Sequence, residues 1–116
     1  MTRKVAIFAF NGDPMCFGHA LLNLMDMRER GYEAIMVIEG TATKQVRELM
    51  DEGKPFADLY ALAKKEGAID CVCQGCSSKM GTLEDAKGQG LKLCKELKGH
   101  PSVARYLEAG YEILIF

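Results

Sequence analysis

Short apolar runs alternate along this chain with stretches whose apolar residues recur at helical spacing. KVAIFAF, residues 4–10, is apolar, rich in β-forming residues and stopped by the turn cluster Asn11-Gly12-Asp13, so it reads as a buried strand. From Phe17 onward, Ala20, Leu21, Leu24 and Met25 follow one helical face. MRERG ends that helix with basic residues in its last turn and Gly31 as the stop. EAIMVIEG, residues 33–40, is a second strand. Thr41 or Thr43 then caps a helix carrying Val46, Leu49 and Met50. GKP, residues 53–55, breaks it, and Pro55 suits the first turn of another helix with Leu59, Leu62 and Ala63 on its inner face. IDCVCQG, residues 69–75, is a third strand, after which Ser77 or Ser78 caps a helix beginning near Lys79. Gly88 and Gly90 weaken any helix through them, and LKLCKE, residues 91–96, reads either as a fourth strand or as continued helix. HPSVARYLEAG is a compact helix with Pro101 in its first turn and Gly110 as its stop, and YEILIF closes the chain as a strand whose apolar end, EILIF, calls for burial.

Alternating β and α elements without hairpin signals imply right-handed crossovers and a mostly parallel sheet. The expected fold class is α/β: a three-layer α/β/α arrangement of flavodoxin-like architecture, one domain over residues 1–116. In such sheets ligands bind at the carboxyl ends of the strands, beside the switch in strand order. Three loops are expected to meet there, at residues 11–18, 39–43 and 74–78.

Charge narrows the function classes. Fifteen Lys and Arg against 16 Asp and Glu leave no global field, so neither nucleic acid nor a membrane surface is an expected partner. Residues 5–10 are too short for a usual signal-peptide core, and no apolar segment approaches spanning length. The expectation is a cytoplasmic protein whose five cysteines are buried, catalytic or metal-binding rather than stapled.

Three of those five fall within DCVCQGCSSKMG, residues 70–81. Cys71 and Cys73 share one strand face, with Val72 on the other. Cys71, deeper in the strand, reads as a small buried hydrophobe. Cys73 lies at the strand end and Cys76 at the start of the next helix, where a thiol's pKa is lowered, and together they form a C-x-x-C unit. Cys16 is placed in the first loop, facing the pair across the crevice. His19, three residues on, either stabilises a thiolate or is a helix-start residue bonded to backbone. Cys94 reads as packed and His100 as an exposed residue ahead of the last helix. No P-loop and no G-x-G-x-x-G pattern is present, so no cofactor is expected. A thiolate site for Zn or Cu(I) built from Cys71, Cys73, Cys76 and Cys94 is the alternative, although the second C-x-x-C of a structural zinc site is missing. The spacing of a thioredoxin motif is matched, but its aromatic residue and cis-proline context are not.

Cys73-Gln74-Gly75-Cys76-Ser77-Ser78-Lys79-Met80-Gly81, together with GDPMCFGHALL in the first loop and helix, resembles the DsrE/DsrF-like sulfur-relay family, which includes DsrE, TusD and the YchN-like proteins. The spacing matches the C-x-x-C-x-x-A-R-G segment of the YchN-like branch, with Met80 where that branch often has arginine and Lys79 adjacent. The resemblance favours LKLCKE as the fourth of five strands. It implies a sulfur carrier, sulfurtransferase-like rather than necessarily a turnover enzyme, with a persulfide on Cys73 and Cys76 as resolving thiol. Cys16, His19, Ser77, Ser78 and Lys79 are the expected supporting residues. The implied partners are sulfur donors and acceptors, proteins or small persulfides, and further copies of the chain in a trimer or hexamer. The competing classes are the thiolate metal protein and a non-catalytic subunit that binds a ligand or partner in the crevice.

Overall fold

Five parallel strands form the middle layer of the protein, whose computed structural model describes residues 2–116. They are β1 (Lys4–Ala9), β2 (Glu33–Ile38), β3 (Ile69–Cys73), β4 (Leu93–Cys94) and β5 (Glu112–Ile115), in the order β4-β3-β2-β1-β5. The helices are α1 (Pro14–Glu29), α2 (Gln45–Glu48), α3 (Ala57–Lys65), α4 (Gln74–Met80), α5 (Leu83–Gly88) and α6 (Val103–Glu108), and a 3₁₀ turn (Gly40–Lys44) leads into α2. The expected three-layer α/β/α class is what forms.

The connections explain the layers. The steps from β1 to β4 all move one way across the sheet, and right-handed crossovers in one direction stay on one face. On that face Val5, Ile7, Met36, Ile38 and Val72 pack with Phe17, Leu21 and Leu24 of α1, Val46 of α2 and Tyr60 of α3. The step from β4 to β5 runs back across the whole sheet, so its helix, α6, lies on the opposite face. There Ala6, Phe8, Val37, Cys71 and Cys94 pack with Tyr106 of α6. Val72 and Cys71 thus point to opposite faces, as strand alternation requires.

Several local expectations are corrected. Asp13 caps α1 by accepting from the amides of Met15 and Cys16, so the helix starts at Pro14 and takes Cys16 out of the first loop. Thr41 and Thr43 do not cap a helix; Thr43 Oγ1 bonds the Gly40 carbonyl at 2.8 Å within the 3₁₀ turn. Met50 is exposed. Pro55 precedes α3, because Phe56, left-handed at φ 72°, occupies the position before the helix. The inner face of α3 is Ala57, Tyr60 and Ala63, with Leu59 partly buried against the same core, while Leu62 is exposed. The Tyr60 hydroxyl donates to Gln89 Oε1 at 2.6 Å, which satisfies its polar tip and lets the ring be fully buried. The carboxyl end is not buried within the chain: β5 is an edge strand, with Leu114 43% and Ile115 66% exposed. Among the described residues, no helix is long and apolar enough to cross a membrane.

Candidate functional site

β3 passes into α4 with no intervening loop. Cys73 is the last strand residue and also the N-cap of α4, and its Sγ accepts the Cys76 backbone N–H at 3.4 Å. The stretch 74–78, expected to be a loop, is therefore the first turn of a helix. Ser77 and Ser78 lie inside that helix rather than at its cap. Ser77 is buried, with an Oγ that finds no partner among the described residues, and Ser78 and Lys79 are exposed. Thr43 Oγ1 reaches the Cys76 carbonyl at 3.4 Å and ties α4 to the 3₁₀ turn.

The segment leaving β4 covers the thiols from the other side. Leu97 and His100 exchange both backbone hydrogen bonds, at 2.8 and 3.0 Å, across Lys98 (φ 51°) and Gly99 (φ 92°). Two central residues with positive φ make a type I′ turn. Behind it, Glu96 accepts from the Ser102 amide at 2.9 Å and pairs with Arg105 at 3.0 Å. The turn delivers His100 Nδ1 to 3.0 Å from Cys73 Sγ and 3.6 Å from Cys76 Sγ. The Gly99 carbonyl accepts the Gly75 amide at 2.8 Å and lies 3.7 Å from Cys73 Sγ. Cys73 Sγ, Cys76 Sγ and a ring nitrogen of His100 all lie within 4.8 Å of one another.

A carboxyl group joins this cluster from β2. The register pairs Ile38 with Val72, so Glu39 and Cys73 follow side by side on neighbouring strands. Glu39 is buried, and burial with the nearby Glu96 pushes its carboxyl up to about 7. Burial likewise pushes the Cys73 thiol up, to about 12; the Cys76 amide pulls the other way, and the Cys76 thiol and Glu39 add to the rise. Cys73 is thus held as a neutral thiol, and forming its thiolate requires a local proton acceptor. An imidazole unprotonated at Nδ1, 3.0 Å away, supplies one. Cys76 is only partly buried and borders a small cavity of about 180 Å³ shared with Gly40, Thr41, Lys79 and Met80.

Of the expected supporting residues, Lys79 lines this cavity. Cys16 and His19 are exposed on the first turns of α1 and stand outside the thiol cluster. The four-thiolate set does not assemble either. Cys71 is no isolated hydrophobe: it forms a disulfide with Cys94, with Cα atoms 5.7 Å apart, and only Cys73 and Cys76 remain for a metal. Their third donor is His100, giving a Cys2His set that suits Zn(II) or Cu(I) with one position open. The site also avoids the switch in strand order. That switch falls at β1 and β5, whereas the cluster sits at the ends of β2, β3 and β4. From sequence, His100 reads only as an exposed residue ahead of the last helix, which it is, and Glu39 only as the start of the loop 39–43, neither as a site residue. Glu39 carried one signal, an ionisable residue directly after the strand ending at Ile38, whereas His100 lies beyond a turn after Cys94 and carried none in local spacing.

The uncharacterized protein MJ0733 of Methanocaldococcus jannaschii is 33% identical to this chain over 96 residues, which cover 83% of the chain and 76% of that protein. Two uncharacterized proteins of Archaeoglobus fulgidus match shorter stretches. One is 58% identical over 43 residues, 37% of this chain and 70% of its own length. The other is 57% identical over 37 residues, 32% of this chain and 100% of its own length. No protein-family model matches the chain, and no solved structure does.

Proposed function

The chain belongs to the family of uncharacterized protein MJ0733, and from its thiol site we propose that it is a sulfur carrier of the DsrE type. The observation that carries this reading is His100 Nδ1 at 3.0 Å from a buried Cys73 Sγ that caps a helix. His100 takes the thiol proton, and the Cys73 thiolate attacks the outer sulfur of a donor persulfide, R–S–SH. The donor S–S bond breaks and a Cys73–S–SH bond forms. The departing R–S⁻ recovers the proton from the imidazolium, so there is no net oxidation. An acceptor thiolate reverses the exchange. In the alternative exit, the Cys76 thiolate attacks the inner sulfur, HS⁻ leaves, and a Cys73–Cys76 disulfide remains. Two thiols are then oxidised while the sulfane sulfur is reduced to sulfide. The two sulfurs, within 4.8 Å of each other, are close enough for that step after a modest side-chain rotation.

The same reading assigns sulfur donors and acceptors as partners and a homo-oligomer as the working form. The edge strand β5, with exposed Leu114 and Ile115, supports a contact between copies, and size-exclusion chromatography with light scattering measures it.

Intact-mass spectrometry after exposure to a polysulfide donor tests the carrier. A gain of sulfur atoms that dithiothreitol removes, present in the wild type and absent in Cys73→Ser, is the expected result. Equal gain in both proteins overturns it. The Cys73, Cys76 and His100 donor set favours one second reading, a soft-metal site. That reading gains if the purified protein carries stoichiometric zinc or copper and takes up no sulfur after the metal is stripped.

A further inference from the structure

Four of the five cysteines gather in β3, β4 and the first turn of α4. Cys71 and Cys94 are bonded to each other and are 1% and 4% exposed. Cys73 lies two residues beyond Cys71 on the same strand face, and its register partner on β4 is Cys94 itself. Cys73 is fully buried, whereas Cys76, in contact with it through the Cys76 N–H, is partly exposed beside the small cavity. Burial therefore keeps a solvent thiol away from the disulfide. Of the four, Cys76 is the most accessible, while Cys73 at 0%, Cys71 at 1% and Cys94 at 4% are all buried.

We propose that Cys73 and Cys76 form an exchange relay through which the buried Cys71–Cys94 disulfide is reduced and re-formed. His100 accepts the Cys73 proton, and the Cys73 thiolate attacks Cys94 Sγ. A Cys73–Cys94 bond forms, the Cys71–Cys94 bond breaks, and the Cys71 thiolate takes up the proton from the imidazolium. The Cys76 thiolate then attacks Cys73 Sγ, forming Cys73–Cys76 and releasing Cys94 as a thiol once protonated. One disulfide is consumed and one is made, so no outside oxidant enters these two steps. The Cys73–Cys76 disulfide, now near the surface, is reduced by an external dithiol, which carries away the two oxidising equivalents. The reverse sequence lets an external disulfide oxidise Cys71 and Cys94. Attack by a neighbouring thiolate through mixed disulfides is the ordinary course of such exchange.

This relay does not depend on sulfur carriage, because persulfide loading at Cys73 needs neither Cys71 nor Cys94. The test uses the full chain with the Cys71–Cys94 disulfide intact and dithiothreitol as the probe. Samples are quenched with acid, alkylated and mapped by mass spectrometry. Native Cys73→Ser is expected to lose the buried disulfide about tenfold or more slowly than wild type, and equally fast once urea opens the fold. Native Cys76→Ser, altered at a partly exposed position, is expected to accumulate a Cys73–Cys94 link with Cys71 free to alkylate. Native reduction at the wild-type rate in Cys73→Ser overturns the relay, as does Cys76→Ser without any Cys73–Cys94 link. A Cys71→Ser/Cys94→Ser double variant that still loads sulfur at Cys73 keeps the carrier reading standing whatever the fate of the relay.

Discussion

The Cβ that Gly75 lacks would lie 2.9 Å from His100 Cε1 and 3.0 Å from the Gly99 carbonyl oxygen. The glycine between the two thiols is thus the gap into which the His100 turn fits. Gly75→Ala is expected to push the imidazole away from Cys73 and to slow polysulfide loading by about tenfold, since small displacements of a reacting group are costly. Alanine favours the helix by about 0.5–1 kcal/mol, which offsets the strain and leaves the melting temperature nearly unchanged. Loading rate by mass spectrometry, read beside thermal melting, separates the two effects. Equal loading rates would show that the approach of His100 is not used.

Glu39 predicts a pH dependence of stability. Its folded pKa, raised by burial to about 7 from an ordinary 4.5, means that the folded chain keeps a proton that the unfolded chain releases between those values. Its contribution is complete below pH 4.5 and is lost as the pH rises through 7. The neighbouring titratable groups are Glu96, whose charge adds to the rise, and the Cys73 thiol, which is neutral across this window. Glu39→Gln is expected to flatten the profile and to be more stable than wild type at pH 8, by on the order of 2 kcal/mol. Urea midpoints at pH 5 and pH 8 measure this.

A soft metal ion should compete with sulfur for the site. Two thiolates and an imidazole within 4.8 Å are expected to bind one Zn(II) per chain, release protons and block loading at Cys73. A chelator is expected to restore loading, and His100→Ala to weaken the inhibition about tenfold or more. Proton release on zinc addition and the loading assay are the two readouts.

The Cys71–Cys94 disulfide closes a loop with a sequence separation of 23 residues. A Cys71→Ala/Cys94→Ala double variant is expected to lose about 3 kcal/mol in urea unfolding, from the freedom restored to the unfolded chain. The Cys71 sulfur also lies 3.3 Å from the Tyr106 hydroxyl, which bonds Asp70, so the loss extends to how α6 is held on the sheet. A smaller change on chemical reduction than in the double variant would assign the difference to packing.

By itself the sequence determined what depends on neighbours along the chain. Apolar runs and helical spacing specified four of the five strands, with residues 91–96 left open between strand and helix, the long first helix with Phe17, Ala20, Leu21, Leu24 and Met25 inward, and the parallel three-layer class. Strand alternation put Cys71 and Cys73 on one face, and a cysteine at a strand end beside a helix start marked the candidate thiol. The tertiary structure alone decided what stands opposite those thiols. His100 lies 27 residues from Cys73, and its approach depends on a two-residue turn and on the absence of a side chain at Gly75. Glu39 acquires its raised pKa from burial beside β3, which no local pattern encodes. Cys71 finds Cys94 because the crossover returns β4 to the edge of β3, in a register set by packing. Spacing within one element is a property of local geometry. Contacts between elements are chosen by the order of the strands and the burial that order creates.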